Sequence, residues 1–361
     1  MRGLRVVEEM ATQKNKSDLM RQVRLDFLRQ PWWQENETIV VGVSGGLDSM
    51  ALLEILFRLR SEFPAKMIVG HVNYHLRGEE SNQAATHVQK TCKKMGILYK
   101  ERNGSEVAKS EDNLQNAARK LRKDFFCKLA KQTQTRKIFL AHQQDDQVET
   151  VLLQLLRGTG LLGLAGMEER RMDEKGYEWV RPLLSIPRSV LKQWVKKEKI
   201  RFMEDSSNKS RVYQRNRVRH ELMPLLESLQ PDVRERFLNL SLQSRRAAQT
   251  FQFLAKDLSK HWGENEEGRV LFPRAVLLKM APEVRRFLLR DAYKTLTGNC
   301  LELKQDHFER MDFILTSSKP RGKYPLPQGV RFIRRFEEVE LASRGSVCVR
   351  LSSAHKEPDT S

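Results

Sequence analysis

The stretch that decides the fold is TIVVGVSGGLDSMALLEILFRL, residues 38–59. An apolar run leads into two glycines, an aspartate and a serine, and an amphipathic helical pattern follows. A strand, a glycine-rich turn and a helix N-terminus together form an anion site, because small residues let backbone N–H groups approach phosphate oxygens and the helix dipole favours negative charge. Without further context, a plain structural turn explains the two glycines equally well.

The first half of the chain alternates short apolar runs with helical patterns. After the first run, the predicted strands are 66–74, 97–102 and 137–142. The predicted helices between them are 47–62, about 79–95 and about 113–134. This βαβα alternation predicts an α/β fold, a doubly wound and mostly parallel sheet with helices on both faces. Ligands bind beyond the carboxyl ends of the strands in such sheets, so that edge is the predicted site.

The pattern changes near residue 187. The segment SIPRSVLKQWVKKEKI predicts a helix from Pro187 with Ser185 as its cap, and residues 226–315 have the apolar spacing of helices. Turn residues followed by alternation at 319–342 predict a terminal hairpin. The predicted parts are a helical N-terminal extension (1–36), an α/β domain (37–225), a smaller, mainly helical domain ending in a hairpin (226–345) and a flexible tail (346–361).

Charge and cysteine content limit the classes of function. The 361 residues carry a formal net charge of +19, which indicates a polyanionic partner. Nucleic acid is the first candidate for that partner and an anionic membrane surface the second. The alternative is a basic protein that has no such partner. No run approaches the roughly 18 apolar residues of a membrane span, and the N-terminus lacks a secretory signal pattern. The four cysteines are far apart, which argues against a disulfide framework and fits a reducing cytoplasm.

The glycine-rich loop has the chemistry of a phosphate cradle with a metal. The residues predicted to hold the phosphates are Ser44, Gly45, Gly46, Leu47 and Ser49. Asp48 is unexpected beside a phosphate unless a cation lies between them, and Mg²⁺ typically binds one or two carboxylates plus phosphates. The loop has neither the Walker A pattern nor Gly-x-Gly-x-x-Gly.

An acidic cluster follows the fourth predicted strand, in AHQQDDQVETVLLQLLRGTGLLGLAGM (141–167). On a helix, His142, Asp146 and Glu149 fall on one face with Asp145 at its edge. The cluster and the glycine-rich loop are therefore expected at the same edge of the sheet. The alternative is a solvated helix face with a capping aspartate.

These motifs resemble a known superfamily. The arrangement Ser-Gly-Gly-x-Asp-Ser after a first strand resembles the pyrophosphate loop (PP-loop) of the N-type ATP pyrophosphatases. Further segments resemble, in order and spacing, the tRNA(Ile)-lysidine synthetase family; they are HVNYHLRG (71–78), NAARKLRKDFF (116–126), residues 141–167, RPLLSIPR (181–188), EDSSN (204–208) and QRNRVRHELMP (214–224). The resemblance is specific over about 37–225 and weaker over 226–345, and the chain resembles the family's shorter form.

The resemblance implies a two-step reaction on a tRNA(Ile) with a CAU anticodon. ATP, with Mg²⁺ at Asp48, adenylates the C2 carbonyl oxygen of the wobble cytidine and releases pyrophosphate. The side-chain amine of L-lysine then displaces AMP and gives lysidine. The residues expected to serve lysine are Asp146 and Glu149, with Asp145 and His142 beside them. Arg119 and Arg215 are expected to bind the lysine carboxylate and the charge on phosphate, and His71 to line the ATP pocket.

A basic stretch, KSRVYQRNRVRH (209–220), holds five Lys/Arg and no acidic residue. The predicted tRNA contacts are Arg211, Tyr213, Arg215, Arg217 and Arg219. On a helix Arg215 and Arg219 share a face and Arg217 points elsewhere, while Tyr213 has the ring needed to stack on a base. A solvated basic helix is the alternative. Residues 226–345, which are also basic, are expected to grip the tRNA.

Two other functions remain open from the sequence. A tRNA thiolase of the same superfamily also adenylates a base, but it needs reactive cysteines, whereas Cys92 and Cys127 lie at positions that suggest packing. A tRNA-binding protein with an inactive loop has the same charge, although the intact Asp48, Asp146 and Glu149 argue against it. A homodimer is compatible with the predicted fold.

Overall fold

The computed structural model describes residues 19–75, 78–109, 114–203, 214–262, 264–266, 268–300 and 302–344. The chain divides into two compact units, Met1–Ser244 and Arg245–Ser361. Our predicted boundary at 225/226 lies earlier than the division between these units. None of the helices in the described ranges is both long enough and apolar enough to span a membrane.

A six-stranded sheet forms the centre of the first unit. Its strands are β1 (Glu37–Gly42), β2 (Ala65–Asn73), β3 (Leu98–Asn103), β4 (Lys137–Phe139), β5 (Arg170–Met172) and β6 (Glu178–Val180). Their spatial order is β3-β2-β1-β4-β6-β5, and all neighbours are parallel except β5, which is antiparallel to β6. The predicted mostly parallel sheet is confirmed. The chain order reverses between β1 and β4, which is where such sheets bind ligands.

The helices of the first unit connect and cover these strands. They are α1 (Leu19–Arg29), α2 (Leu47–Leu59), α3 (Glu79–Met95), α4 (Leu114–Gln132), α5 (Gln144–Leu156), α6 (Leu161–Leu164), α7 (Arg188–Lys197), α8 (Gln214–Arg217) and α9 (Met223–Leu229). A π-helical turn, Val218–Leu222, joins α8 to α9. The next helix, α10 (Val233–Trp262), contains the boundary between the two units.

Alternation along β1 produces a core on each face of the sheet. Ile39 and Val41 belong to the cluster that includes residues of α2 and α7, whereas Val40 belongs to the cluster with Phe126 of α4. Successive strand residues point to opposite faces, so one apolar run serves both clusters. The described part of the N-terminal extension contains the expected helix, α1, and Phe27 near its end is buried.

Two local predictions in the first unit are wrong. The helix α7 begins at Arg188 with Pro187 in extended conformation at its N-cap, and the side chain that accepts from its first N–H group is Asp145 and not Ser185. The strand β4 ends at Phe139 and not at residue 142, because the chain turns there to begin α5 with Gln143 as its N-cap. His142 therefore lies in the connection between strand and helix.

The second unit combines helices with an antiparallel sheet. Its helices are α11 (Arg274–Lys279), α12 (Pro282–Thr297) and α13 (Gln305–Thr316). Its strands are β7 (Glu264–Glu266), β8 (Arg269–Pro273), β9 (Gly322–Pro325), β10 (Arg331–Arg334) and β11 (Glu338–Ala342), in the order β7-β8-β11-β10-β9. The predicted hairpin is confirmed by β10 and β11. The purely helical interpretation of 226–315 is wrong at β7 and β8, since β8 pairs with the distant β11.

Candidate active site

The loop between β1 and α2 is held in shape by Ser49. Its hydroxyl oxygen accepts from the N–H of Ser44 at 3.2 Å and of Gly45 at 3.1 Å, and donates to the carbonyl of Gly46 at 3.0 Å. We predicted that Ser49 would donate to phosphate, and in this structure its hydroxyl is engaged within the loop. The N–H groups of the first turn of α2, from Leu47 onward, have no intrahelical acceptor and are the donors that remain for an anion.

Gly45 is required by the loop geometry, and this gives a first prediction. Its φ is +90°, and a Cβ there would lie 3.4 Å from Ala84 Cβ and from Val88 Cγ2. We expect Gly45→Ala to lower the free energy of unfolding by about 1–2 kcal/mol, because a residue with a Cβ is strained at this positive φ even though the space around it is sufficient. The measurement is the shift of the urea midpoint.

The neighbouring glycine provides the control. Gly46 has φ −77°, and the nearest atom to a Cβ there is Ser44 Oγ at 3.7 Å. Gly46→Ala is expected to change the unfolding free energy by only about a few tenths of a kcal/mol, because the poorer N-cap and the smaller entropy of the unfolded chain offset each other. Equal losses of stability in the two variants would contradict this account of the loop.

Asp48 in the first turn of α2 combines burial with an unsatisfied oxygen. Its Oδ1 atom is buried and makes no hydrogen bond, and its Oδ2 atom lies 3.6 Å from Arg188 Nε. Burial raises the pKa of Asp48 to about 6 against the opposing charge of Arg188, and Asp146 raises it further. A buried carboxylate oxygen without a donor beside a phosphate-type loop fits a Mg²⁺ ligand.

Helix α5 begins at the switch point and carries the acidic residues. The side chain of Gln143 accepts from the N–H of Asp145, and Asp146 Oδ2 accepts from the N–H of Gln143 at 3.1 Å, so the two residues form a capping box. This cap fixes the first turn of the helix next to the loop after β1, since β1 and β4 are adjacent strands. The predicted common edge is confirmed by the sheet order.

Four charged side chains form one ion cluster. Glu149, which is 2% exposed, accepts from Arg215 Nε at 2.7 Å and from Arg219 Nε at 2.6 Å. Asp146 Oδ1 lies 3.0 Å from Arg215 Nη2 and 3.4 Å from Arg219 Nη2. Burial raises the pKa of Asp146 and the arginines oppose that shift. A substrate ammonium group would compete with two guanidinium groups for these oxygens.

The arginine side chains of the basic segment point in two directions, as its helical spacing predicts. Arg215 and Arg219 face α5, whereas Arg217 is exposed and pairs with Glu221 on its own helix. Two predicted tRNA contacts, Arg211 and Tyr213, lie outside the described residues. Asp145 does not join the cluster, because its Oδ2 atom lies 3.4 Å from Arg234 Nη1.

Two histidines near the loop are neutral. His71 on β2 is buried, its Nδ1 is 2.8 Å from the carbonyl of Val43, and burial lowers its pKa. The carbonyl must accept, so this Nδ1 carries the proton. The pKa of His142 lies well below its usual 6.5, mainly because the side chain is buried and also because Arg181 and Arg122 are nearby. The Nδ1 atom of His142 is buried and has no hydrogen-bond partner.

Arg119 lies on the exposed side of α4 among other arginines. Partial desolvation lowers its pKa, and the positive charges of Arg122, Arg215, Arg171 and Arg157 lower it further. The charge of Arg215 thus acts on Arg119, and their shared role in binding the lysine carboxylate stays a prediction.

The glycine-rich segment after α5 is held by a residue that sequence reasoning missed. Gln147 Nε2 donates to the carbonyls of Ala165 and Met167, and Gln147 Oε1 accepts from the N–H of Met167 at 2.7 Å. Gly166 has φ +64°, and a Cβ there would lie 2.6 Å from Gln147 Nε2. The glycine-rich segment thus supports α5, the helix that carries Asp146 and Glu149.

Arg188 was also missed as an individual residue. It ends the RPLLSIPR motif and begins α7, where its side chain faces Asp48 and its N–H donates to Asp145 Oδ1 at 3.4 Å. The motif was the available signal, but the contact depends on how α7 packs against α2.

Comparison with known proteins assigns the family. A family model described as a PP-loop domain matches residues 15–226. The tRNA(Ile)-lysidine synthase of Geobacter sulfurreducens is 31% identical over 330 residues, covering 90% of this chain and 69% of that protein. The Enterococcus faecalis enzyme of the same name is 32% identical over 318 residues, covering 87% of this chain and 68% of that protein.

Among solved structures, the fold is similar to that of the U34-tRNA thiolase NcsA from Methanococcus maripaludis with its [4Fe-4S] cluster. The TM-score is 0.53 at 18% identity, over 64% of this chain and 77% of that one, which supports the fold alone. The sequence matches, by contrast, extend across both units of this chain. On the combined evidence of loop, sheet order and sequence identity, the chain belongs to the tRNA(Ile)-lysidine synthases, ATP-dependent tRNA-modifying ligases with a PP-loop domain.

Proposed function

We propose that this protein converts the wobble cytidine of a tRNA(Ile) with a CAU anticodon into lysidine. ATP adenylates the C2 carbonyl oxygen and pyrophosphate leaves; the side-chain amine of L-lysine then attacks C2 and AMP leaves. The observation that best supports the proposal is the adjacency of β1 and β4, which puts a phosphate-type loop beside buried carboxylates that suit an ammonium group. Family membership supports tRNA as the substrate.

In the first step, the protein's role is to hold and orient ATP. First-turn N–H groups of α2 donate to the pyrophosphate part of ATP, and Asp48 is the residue that would hold Mg²⁺, which would supply positive charge to the phosphates. His71 donates to the carbonyl of Val43 and so fixes the start of the loop. Arg188, 3.6 Å from Asp48, adds positive charge beside the phosphates.

In the second step, the amine must lose a proton before it attacks. Asp146 and Glu149 accept hydrogen bonds from the lysine amino groups, in competition with Arg215 and Arg219. His142 is neutral at pH 7 because burial and nearby arginines lower its pKa, and the same causes make it a weak base. The proton therefore passes to Asp146, whose pKa is raised by burial. Arg119 and Arg215 bind the lysine carboxylate.

The proposal extends to the tRNA contacts, the cellular location and the oligomeric state of the protein. Arg217 is exposed at 64% and contacts tRNA, together with Arg211 and Tyr213 of the preceding segment. The reaction takes place in the cytoplasm, which fits the thiol content and the tRNA substrate. A homodimer remains a prediction, to be checked by measuring the mass of the protein in solution.

The test is AMP release from ATP, with components omitted one at a time. The complete mixture contains the full chain, Mg²⁺, lysine and a tRNA(Ile) transcript with a CAU anticodon. AMP formation that depends on both tRNA and lysine is the expected result. AMP formation without any need for lysine would indicate another nucleophile, and no AMP with salt-sensitive tRNA binding would leave a binding protein.

A cysteine-free variant distinguishes lysidine formation from thiolation. Cys92 is buried on one face of the sheet and Cys127 on the other, and burial raises the pKa of the Cys92 thiol to about 11. Neither is a thiolate at neutral pH. Replacing Cys92, Cys127, Cys300 and Cys348 by alanine is expected to keep lysine-dependent AMP formation within about threefold. Loss of that activity in a variant with an unchanged melting curve would contradict lysidine formation as the function.

A further inference from the structure

Five arginines of the first unit carry charges that act on one another near the ion cluster. We call Arg119, Arg122, Arg157, Arg171 and Arg181 the arginine cluster. Within the described residues, none of them forms an ion pair with a carboxylate, in contrast to Arg24, Arg58 and Arg170 of the same unit. Positive charges that lie close together without carboxylates repel one another. This arrangement therefore indicates that an anion binds there.

The topology of the sheet places this cluster on one side of the ion cluster. Arg181 directly follows β6, and Arg171 lies on β5, where it pairs with Trp179 of β6. Arg157 is the C-cap of α5, about two turns beyond Glu149, and its charge acts on Arg119 together with those of Arg122 and Arg171. Along the order β1-β4-β6-β5, the strands are about 4.8 Å apart, so β6 and β5 lie roughly 10 and 14 Å from the strand that ends in the phosphate-type loop.

Arg181 and His142 each have a nitrogen atom that is buried without a hydrogen-bond partner. Arg181 Nη1 donates to the carbonyl of Glu168 at 2.8 Å, which fixes the guanidinium, while Arg181 Nε has no acceptor. Burial, Arg171 and Arg119 lower the pKa of Arg181 to about 10. His142 Nδ1, which lies among the same arginines, also has no partner. Because these atoms are buried, contact with a ligand falls to the exposed members of the cluster, which are Arg119, Arg122, Arg157 and Arg171.

The geometry points to the arginine cluster as a binding site for the backbone phosphates of the tRNA loop that flank the wobble cytidine. This inference rests on the proposed function. A guanidinium group can donate two parallel hydrogen bonds to two oxygen atoms of one phosphate. Five arginines are also more than a single lysine carboxylate needs as partners. The predicted site is distinct from the tRNA contacts expected at Arg215 and Arg219, whose Nε atoms bind Glu149.

The test compares two double variants for tRNA binding as a function of salt. Arg157→Gln with Arg171→Gln removes two exposed members of the cluster. The control, Arg24→Gln with Arg236→Gln, removes the same charge at exposed arginines paired with Glu62 and Asp232. For the cluster variant, the slope of log affinity against log salt is expected to fall by about 1.4–1.8, so affinity at 0.1 M salt falls about 25- to 60-fold. The control is expected to keep the wild-type slope within about 0.3.

Each outcome decides between named alternatives. An unchanged slope in the cluster variant, or an equal fall in the control, would overturn the inference. A raised KM for lysine with unchanged tRNA affinity would assign the cluster to the lysine carboxylate and also overturn it. Wild-type activity is assayed separately: if no lysidine forms but the cluster variant loses tRNA affinity, the site stands and the proposed reaction fails.

Discussion

Glu149→Gln is expected to lower kcat/KM for lysine by about 10- to 150-fold. The carboxylate is almost fully buried and receives Nε hydrogen bonds from both Arg215 and Arg219. A charge-assisted hydrogen bond contributes about 1.5–3 kcal/mol, and the neutral amide loses that contribution toward a substrate ammonium. The measurement is lysine-dependent AMP formation at saturating ATP and tRNA.

The free energy of unfolding of Glu149→Gln is expected to fall by about 3 kcal/mol, because Arg215 and Arg219 lose the charge of the carboxylate that they share. Glu221→Gln is the matched control, since Glu221 is 41% exposed and pairs only locally with Arg217. It should keep kcat/KM within about twofold, since exposed pairs contribute little. Normal lysine kinetics in Glu149→Gln would show that lysine binds elsewhere.

Asp48→Asn is expected to reduce AMP formation by about a thousandfold. Asp48 is the carboxylate nearest the glycine-rich loop in sequence, and its buried Oδ1 atom has no protein donor. If that oxygen binds Mg²⁺, the amide weakens the metal and with it several kcal/mol of phosphate charge stabilisation. The measurement is AMP release in saturating lysine and tRNA across a Mg²⁺ titration. Wild-type turnover at low Mg²⁺ would contradict the assignment.

Asp48→Asn also has an expected effect on stability that depends on pH. The pKa of Asp48 is raised by burial from 3.8 to about 6, so the folded state holds the proton more tightly than the unfolded state. This contribution favours folding below about pH 3.8 and is lost as the pH rises to about 6. In EDTA, the variant should therefore be more stable than the wild type by about 2–3 kcal/mol at pH 8 and by much less at pH 4.5. A less stable variant at pH 8 would contradict burial as the cause.

Local patterns predicted the features that depend on one segment at a time. The run from 38 to 59 contains the strand, turn and helix it predicts, and the location of the site at the carboxyl ends of the strands follows from the alternation of strands and helices. The shared face of Asp146 and Glu149, and that of Arg215 and Arg219, follow from helical spacing. These side chains meet in the structure because two correctly predicted faces are turned toward each other.

Features that depend on pairing between distant segments were not predictable in this way. The strands β7 and β8 lie within a stretch that we interpreted as helical, and β8 pairs both with β7 and with the distant β11. The contact of Arg188 with Asp48 requires the packing of α7 on α2. The inward orientation of the Ser49 hydroxyl follows from the left-handed turn at Gly45, which the residue pattern allows but does not specify.

The most direct test of the central claim is transfer of radiolabelled lysine to tRNA, with the labelled nucleotide mapped after nuclease digestion. The substrate is a tRNA(Ile) transcript with a CAU anticodon, and the control transcript carries uridine at the wobble position. The account predicts one lysine per transcript, attached at the wobble cytidine, released AMP in equal amount, and no label in the control. Label in both transcripts, or AMP release without label at that nucleotide, would contradict it.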